Sequence, residues 1–319
     1  MAVYTDVSDE DLSAFLSEYG IGDLVAFRGI AEGVENSNFS LRTTHGDFIL
    51  TLYEKRVDPN DLPWFLGLMH HLAAQGLNCP LPVAGTDGQA LRMLCRRHAA
   101  ITTFLPGVWP RRVHVAHCRP LGEALARLHL AGADYAPQRP NTLGPAAWAA
   151  LLASCGGGAD TLLPGLSHEL TQAAHHVLSA WPADLPRGHI HADLFPDNVF
   201  FLNGAVSGLI DFYFACTDIL AYDIAVCLNA WCFESDFSFN ATNARALLAG
   251  YTSVRKLSGA ERAALPVLAQ GAALRFLLTR LYDWLNTPAG ALVTRKNPLD
   301  YLRRLRFHLA TRDYNAYGV

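Results

Sequence analysis

The stretch HADLFPDNVFFLNGAVSGLIDF, residues 191–212, decides how the rest of the chain is read. Its first eight residues hold one histidine, two aspartates and an asparagine. Asn203-Gly204 then separates two apolar runs, 199–202 and 205–210, and Asn-Gly between such runs predicts a tight hairpin. Residues 191–198 are therefore a loop feeding the first strand, and Asp211 ends the second. A hairpin folds the chain back, so Asp211 is expected beside Asn198 although thirteen positions separate them. An aspartate next to an asparagine offers hard oxygen ligands of the kind magnesium takes. Asp193, five residues before Asn198, is placed to accept a proton from an attacking hydroxyl.

A loop aspartate as base, a loop asparagine on a metal and a strand-end aspartate on the same metal are the parts of a phosphoryl-transfer site. The spacing H-x-D-x-x-x-x-N, followed thirteen residues later by an aspartate, asks for three coincidences at once if these residues only cap turns. Asp197 taken alone reads as an ordinary turn residue. His191 reads as a brace for the loop backbone rather than an acid or base.

Outward from this stretch, the bulk composition narrows the class. The chain has 319 residues, of which 51% are hydrophobic, and a net charge of −4. That length supports two lobes, and with no basic block nucleic acid is not an expected partner. No run reaches the ~20 apolar residues of a membrane span, and the acidic start MAVYTDVSDED carries no signal peptide. Seven cysteines without CxxC spacing read as free thiols in a reducing cytoplasm, not as a disulfide framework or zinc site. Lysine is scarce: only Lys55, Lys256 and Lys296 occur.

The N-terminal third is rich in strand patterns. A helix is expected over 8–19, capped by Ser8, then strands over 24–30, 38–43 and 48–53, and a helix over 58–75. CPLPVAG and ALRMLCRRHAAITTFL read as two further strands, and Pro106-Gly107 breaks the pattern. Beyond it, helices are expected over 113–131 and 166–180, with Gly156-Gly157-Gly158 as a flexible turn, then the hairpin, then a helical tail to about residue 313. The fold class is α+β, with a small antiparallel sheet in a nucleotide-binding lobe, 1–105, and a mostly helical catalytic and substrate-binding lobe, 106–319.

GIAEGVENSNFSL joins two strands of the small lobe. Gly29 and Gly33 allow backbone to approach phosphates, and Asn36, Ser37 and Asn38 add polar groups. It is not a Walker sequence, because no GKS or GKT follows. A site of this kind wants a cation on the third strand, and the position falls on Thr51. Lys55, on the same side of the strand, is either that cation or a solvated strand-end charge, and Arg42 on the neighbouring strand is a second option. The helix that follows, WFLGLMHHL, offers no glutamate to pair with a cation.

HADLFPDN and IDF together resemble the aminoglycoside-phosphotransferase and choline-kinase-like group of small-molecule kinases. The resemblance implies a protein-kinase-like fold, ATP and Mg2+ as cofactors, and ITTFLPG as a hinge where Thr102 and Phe104 meet the adenine. EGVENSNFSL, FILTLYEKR, ITTFLPG, LGEALARLHLAGADY, GHIHADLFPDNVFF, LIDFYFACTDILAYDIAVCLNAWCFE and ALRFLLTRLYDWL are similar to the homoserine kinases of that group. This implies transfer of the ATP γ-phosphate to the side-chain hydroxyl of L-homoserine, in threonine biosynthesis. Such an acceptor carries both an ammonium and a carboxylate, and Asp218, Asp223, Arg275, Arg280 and Asp283 are the candidates to meet them. Asp223 also reads as a helix cap. Two other readings stay open. One is a kinase of the same fold acting on an aminoglycoside, choline or methylthioribose. The other is a catalytically silent nucleotide-binding module, favoured by the irregular third-strand cation.

Overall fold

Ser8 starts the first helix because its hydroxyl accepts the backbone N–H of Asp11 at 3.1 Å, and Asp9, Glu10 and Asp11 place negative charge in the first turn. That helix, α1 (Asp9–Leu16), buries Leu12, Phe15 and Leu16. The computed structural model describes residues 5–30, 36–54, 57–287 and 295–318. The chain divides into two compact units, Met1–Gly107 with Ser207–Tyr213, and Val108–Val206 with Phe214–Val319. The division differs from the expected 105/106 boundary chiefly in returning Ser207–Tyr213, and Asp211 with it, to the first unit.

In that unit α1 is followed by β1 (Leu24–Gly29), β2 (Ser37–Thr43), β3 (Gly46–Tyr53), α2 (Leu62–Ala74), β4 (Leu91–Leu94) and β5 (Arg97–Thr103). The strands form one antiparallel sheet in the order β1-β2-β3-β5-β4. Alternation sets its buried face: Phe39 and Leu41, Leu50 and Leu52, and Ala99 and Ile101 cluster with Leu12, Phe15 and Leu16. Each such buried leucine or phenylalanine contributes about 2 kcal/mol. CPLPVAG is not a strand. Its prolines lack the N–H that a ladder needs, and only an isolated bridge, Pro82 to Thr102, forms there. The fourth and fifth strands both come from ALRMLCRRHAAITTFL, split by a turn at Cys95 and Arg96, whose φ angles are 49° and 62°.

The second unit holds α3 (Val115–Ala131), α4 (Pro145–Cys155), α5 (Leu166–Ser179), β6 (Arg187–Ile190), β7 (Val199–Leu202), the start of β8 (Ala205–Leu209), β9 (Cys216–Ile219), α6 (Leu220–Trp231), α7 (Ala241–Val254), α8 (Gly259–Asn286) and α9 (Leu299–Ala310). Gly156–Thr161 is a 3-10 helix, not a loose turn. The expected hairpin is β7–β8, with Asn203 at φ 53° and Gly204 at φ 81°. A second two-stranded sheet pairs β6 with β9. Helices α3 and α7 meet backbone to backbone. A Cβ on Gly122 would lie 2.1 Å from the Leu247 carbonyl oxygen, and one on Gly250 would lie 2.1 Å from that of Arg119. α8 opens with a capping box, Ser258 and Glu261 each accepting the other's backbone N–H. By length and hydropathy α8 could cross a membrane, but 78% of its apolar window is buried inside the protein. It is the core helix of its unit. All seven cysteines are free thiols.

Candidate active site

Residues 191–198 run as a loop between β6 and β7, and buried partners hold nearly every turn of it. The Asp223 carboxylate accepts the backbone N–H of His191 at 2.7 Å and that of Ala192 at 2.8 Å. Arg275 donates to the Ala192 carbonyl, and Trp231 Nε1 donates to the Leu194 carbonyl at 2.8 Å. Ala192 therefore has both its peptide groups clamped, which sustains its φ of 61°, a left-handed conformation that costs a non-glycine residue about 1 kcal/mol. His191 is fully buried and its Nδ1 accepts the Asp193 N–H at 3.3 Å, the bracing position expected of it.

The clamp delivers Asp193 and Asn198 to each other. Asn198 Nδ2 donates to the Asp193 carbonyl at 2.8 Å and faces Asp193 Oδ2 at 3.4 Å. Because its nitrogen is turned inward, Oδ1 is the acceptor that Asn198 has left. Arg275 stands 4.0 Å from Asp193 Oδ1, and the Asp193 side chain keeps 18% of its surface exposed. A carboxylate held in place yet reachable suits proton transfer from a bound alcohol.

Sequence reasoning missed what anchors the clamp. Asp223 Oδ2 lies 3.2 Å from His129 Nε2, and His129 Nδ1 lies 2.7 Å from the Tyr251 hydroxyl. Burial raises the Asp223 carboxyl, but the hydrogen bonds from His129 and from the His191 backbone outweigh it and leave it below the usual carboxylate range. The close approach of α3 and α7 at Gly122 and Gly250 joins the helices that carry His129 and Tyr251. The signal available in the sequence was a histidine within the apolar pattern of LARLHLAG.

Three residues assigned to substrate take other places. Asp223 is fully buried, and its oxygens hold loop backbone. Asp218 is 4% exposed, accepts from Asn141 Nδ2 at 2.8 Å and pairs with Arg187 at 3.0 Å. Arg275 is 3% exposed, spent on the Ala192 carbonyl and stacked 4.2 Å from the Phe276 ring centroid. These are internal ties, with little surface for a ligand.

In the sheet unit, the polar residues of β2 are spread over different tasks. Ser37 is fully buried, and its hydroxyl donates to Glu54 at 2.8 Å, so that side chain is turned inward rather than toward phosphates. Asn36, 5% exposed, accepts the Glu54 N–H at 3.3 Å. Asn38 is half-buried and accepts from Thr51 Oγ1 at 2.8 Å. The Tyr213 hydroxyl lies 2.9 Å from that of Tyr53. Burial pushes the Tyr213 phenol up to about 12, with Asp211 adding to the shift. The third-strand position is thus a neutral hydroxyl bonded to a neutral amide. Asp211 is exposed, with a φ of 64°. Arg42 sits at the other end of β2, opposite Asp47 in the register and paired with it at 2.8 Å, so it is not with Asn36 and Asn38. Thr102 is buried in β5, and Phe104, just past it, is 45% exposed. Gly33 and Lys55 lie outside the described residues.

Among the described residues no three His, Cys, Asp or Glu side chains gather as a metal cage. Magnesium beside a nucleotide needs none, since one or two protein oxygens with phosphate and water oxygens fill its shell. Asn198 Oδ1 in the helical unit and the exposed Asp211 carboxylate in the sheet unit each have the hard-oxygen chemistry of a magnesium ligand.

The chain is 71% identical to the homoserine kinase of Granulibacter bethesdensis over 319 residues, 100% of both chains. It is 70% identical to that of Gluconacetobacter diazotrophicus over 321 residues, again 100% of both. Its fold is shared with the amicoumacin kinase hAmiN, solved in complex with AMP-PNP, Ca2+ and Ami, at a TM-score of 0.69 and 15% identity over 95% of this chain and 94% of that one. The fold is α+β and protein-kinase-like. Residues 26–257 match the phosphotransferase enzyme family (APH). The chain belongs to that phosphotransferase family and, within it, to the homoserine kinases.

Proposed function

We propose that this chain transfers the γ-phosphate of ATP to the side-chain hydroxyl of L-homoserine, giving O-phospho-L-homoserine, a precursor of threonine. The observation that carries this reading is the clamped Asp193–Asn198 pair in a chain that aligns end to end with homoserine kinases. The acceptor oxygen attacks the γ-phosphorus, the bond to the β-phosphate oxygen breaks, and the hydroxyl proton goes to an Asp193 carboxylate oxygen. Asp223 and Arg275 fix the loop backbone beforehand, so this geometry requires no rearrangement during the reaction.

Asn198 Oδ1 and Asp211 would hold Mg2+, which when bound neutralises charge on the β- and γ-phosphates. Gly33, Asn36, Ser37 and Asn38, with Lys55, are assigned to the nucleotide end, Ser37 through its backbone because its hydroxyl is committed inside. The backbone at Thr102 and the exposed ring of Phe104 are assigned to the adenine. Positioning and charge neutralisation supply most of the rate in such chemistry, and proton transfer the smaller part. We place the enzyme in the cytoplasm, where its free thiols stay reduced.

The test is an acceptor panel with ATP and magnesium, read by ADP release: L-homoserine, choline, an aminoglycoside and 5-methylthioribose. Turnover confined to homoserine is expected. Turnover of another acceptor with none on homoserine would overturn the reading, and ATP binding with no turnover of any would favour the silent module.

A further inference from the structure

Helices α8 and α9 gather three arginines, Arg275, Arg280 and Arg304, around Tyr301 and Asp193. Arg275 is committed to the loop. Arg280, five residues on, is stacked 4.5 Å from the Tyr301 ring centroid, and its ion-pair partner, Asp300, stands at 4.0 Å. Arg304 is stacked 4.5 Å from the same ring and makes no hydrogen bond or ion pair among the described residues. Its Nε and the Tyr301 hydroxyl are both buried and unpartnered. Tyr301 lies in the fields of Arg304, Arg280, Arg275 and Asp193 together.

Three guanidiniums thus face two carboxylates, Asp193 and Asp300, each no closer than 4.0 Å to its arginine. The Arg280 side chain keeps only 15% of its surface, and burial lowers its basicity while Asp300 and Asp193 work the other way. Withdrawing a guanidinium from water without a counter-ion is unfavourable, and a ligand anion removes that cost. The planar fork of arginine matches a carboxylate, through two parallel hydrogen bonds. The ring contacts Phe195–Phe276 at 4.9 Å and Phe276–Tyr301 at 5.2 Å tie the cluster to the catalytic loop.

We infer that Arg280 and Arg304, stacked on Tyr301, bind the carboxylate of the acceptor while its hydroxyl faces Asp193. This rests on the homoserine reading: in homoserine two methylenes and the α-carbon separate the two ends, short enough to join neighbouring groups. The same cations would also suit a phosphate oxygen of the nucleotide, so the test separates the two anions.

The first arm is wild-type turnover of L-homoserine, which tests the parent reading by itself; no turnover removes both. The second arm compares Arg304→Gln with wild type for L-homoserine, for ATP, and for 3-amino-1-propanol, which keeps the amine and hydroxyl and lacks the carboxylate. We expect the homoserine KM to rise about 10- to 100-fold, the ATP KM to stay within twofold, and weak 3-amino-1-propanol turnover to be unaltered. Arg304→Lys, which keeps charge but not the fork, is expected between the two. Calorimetric titration of L-homoserine gives the same answer without turnover, and AMP-PNP binding shows that the variants are folded. An unchanged homoserine KM overturns the assignment. So does an equal loss on 3-amino-1-propanol, or a rise confined to the ATP KM, which would give the cluster to phosphate.

Discussion

The 191–198 loop of the helical unit and strand β3 of the sheet unit both bury polar side chains, and they do so with different chemistry. Around the loop the partners are charged. Asp223 and Arg275 grip successive peptide groups, and His129 and Tyr251 back the aspartate. On β3 the partners are neutral: Thr51 bonds the Asn38 amide, and the Tyr53 and Tyr213 hydroxyls bond each other. A charged clamp resists displacement, because removing one partner strands the other in a dry interior. Neutral groups of this kind can re-pair with water at modest cost. The difference puts the rigidity at Asp193, the group proposed to meet the attacking hydroxyl.

The sharpest way to break the comparison is to remove that group. Asp193→Ala is expected to lower kcat by about 10²- to 10⁴-fold while magnesium-ATP still binds, since the clamp does not depend on the Asp193 side chain. Single-turnover kinetics with a nucleotide-binding control measures it. A kcat within tenfold of wild type would take Asp193 out of the mechanism.

Asp223→Ala attacks the clamp instead. It leaves two backbone N–H groups and His129 without their acceptor, and a loss of roughly 3–5 kcal/mol is expected, as for other broken buried pairs. Urea unfolding of wild type and variant checks it. The pH dependence has a definite sign. The folded-state carboxyl lies below its ordinary value, so its contribution is complete above the usual carboxylate range and is lost as pH falls through the folded value. The variant should therefore lose the part of acid sensitivity that Asp223 carries. A variant as stable as wild type would make the clamp ornamental.

The same contrast explains what could be read beforehand. The Asp193–Asn198 pair and the Asn203-Gly204 hairpin were legible because their partners lie within a few residues, and the hairpin forms as expected. His129 and Asp223 are 94 residues apart and His129 and Tyr251 are 122 apart, so only folding reveals them. Asp223 looked like a helix cap because it does stand in the first turn of α6; its oxygens reach back to the loop instead. The β6–β9 pair is built from strands of four residues each, too short to carry a period. CPLPVAG has strand-like apolar residues, but its prolines cannot join a ladder. Arg280 and Arg304 sit on different helices, and only the packing of α8 on α9 brings both to Tyr301.

Thr51→Val tests the quieter side. The substitution keeps the shape and removes the donor to Asn38 Oδ1, which is half-buried and can take water in exchange. A loss of about 1 kcal/mol is expected, with the ATP KM within threefold of wild type. The reason is that Thr51 is 4% exposed and its hydroxyl is already engaged with Asn38, leaving it little surface to touch a nucleotide. Denaturant unfolding and initial-rate kinetics give the two numbers. If the ATP KM instead rose tenfold or more with stability little changed, the third strand would be holding nucleotide through its hydroxyl. The contrast between a charged catalytic clamp and a neutral structural strand would then fail on the strand's side.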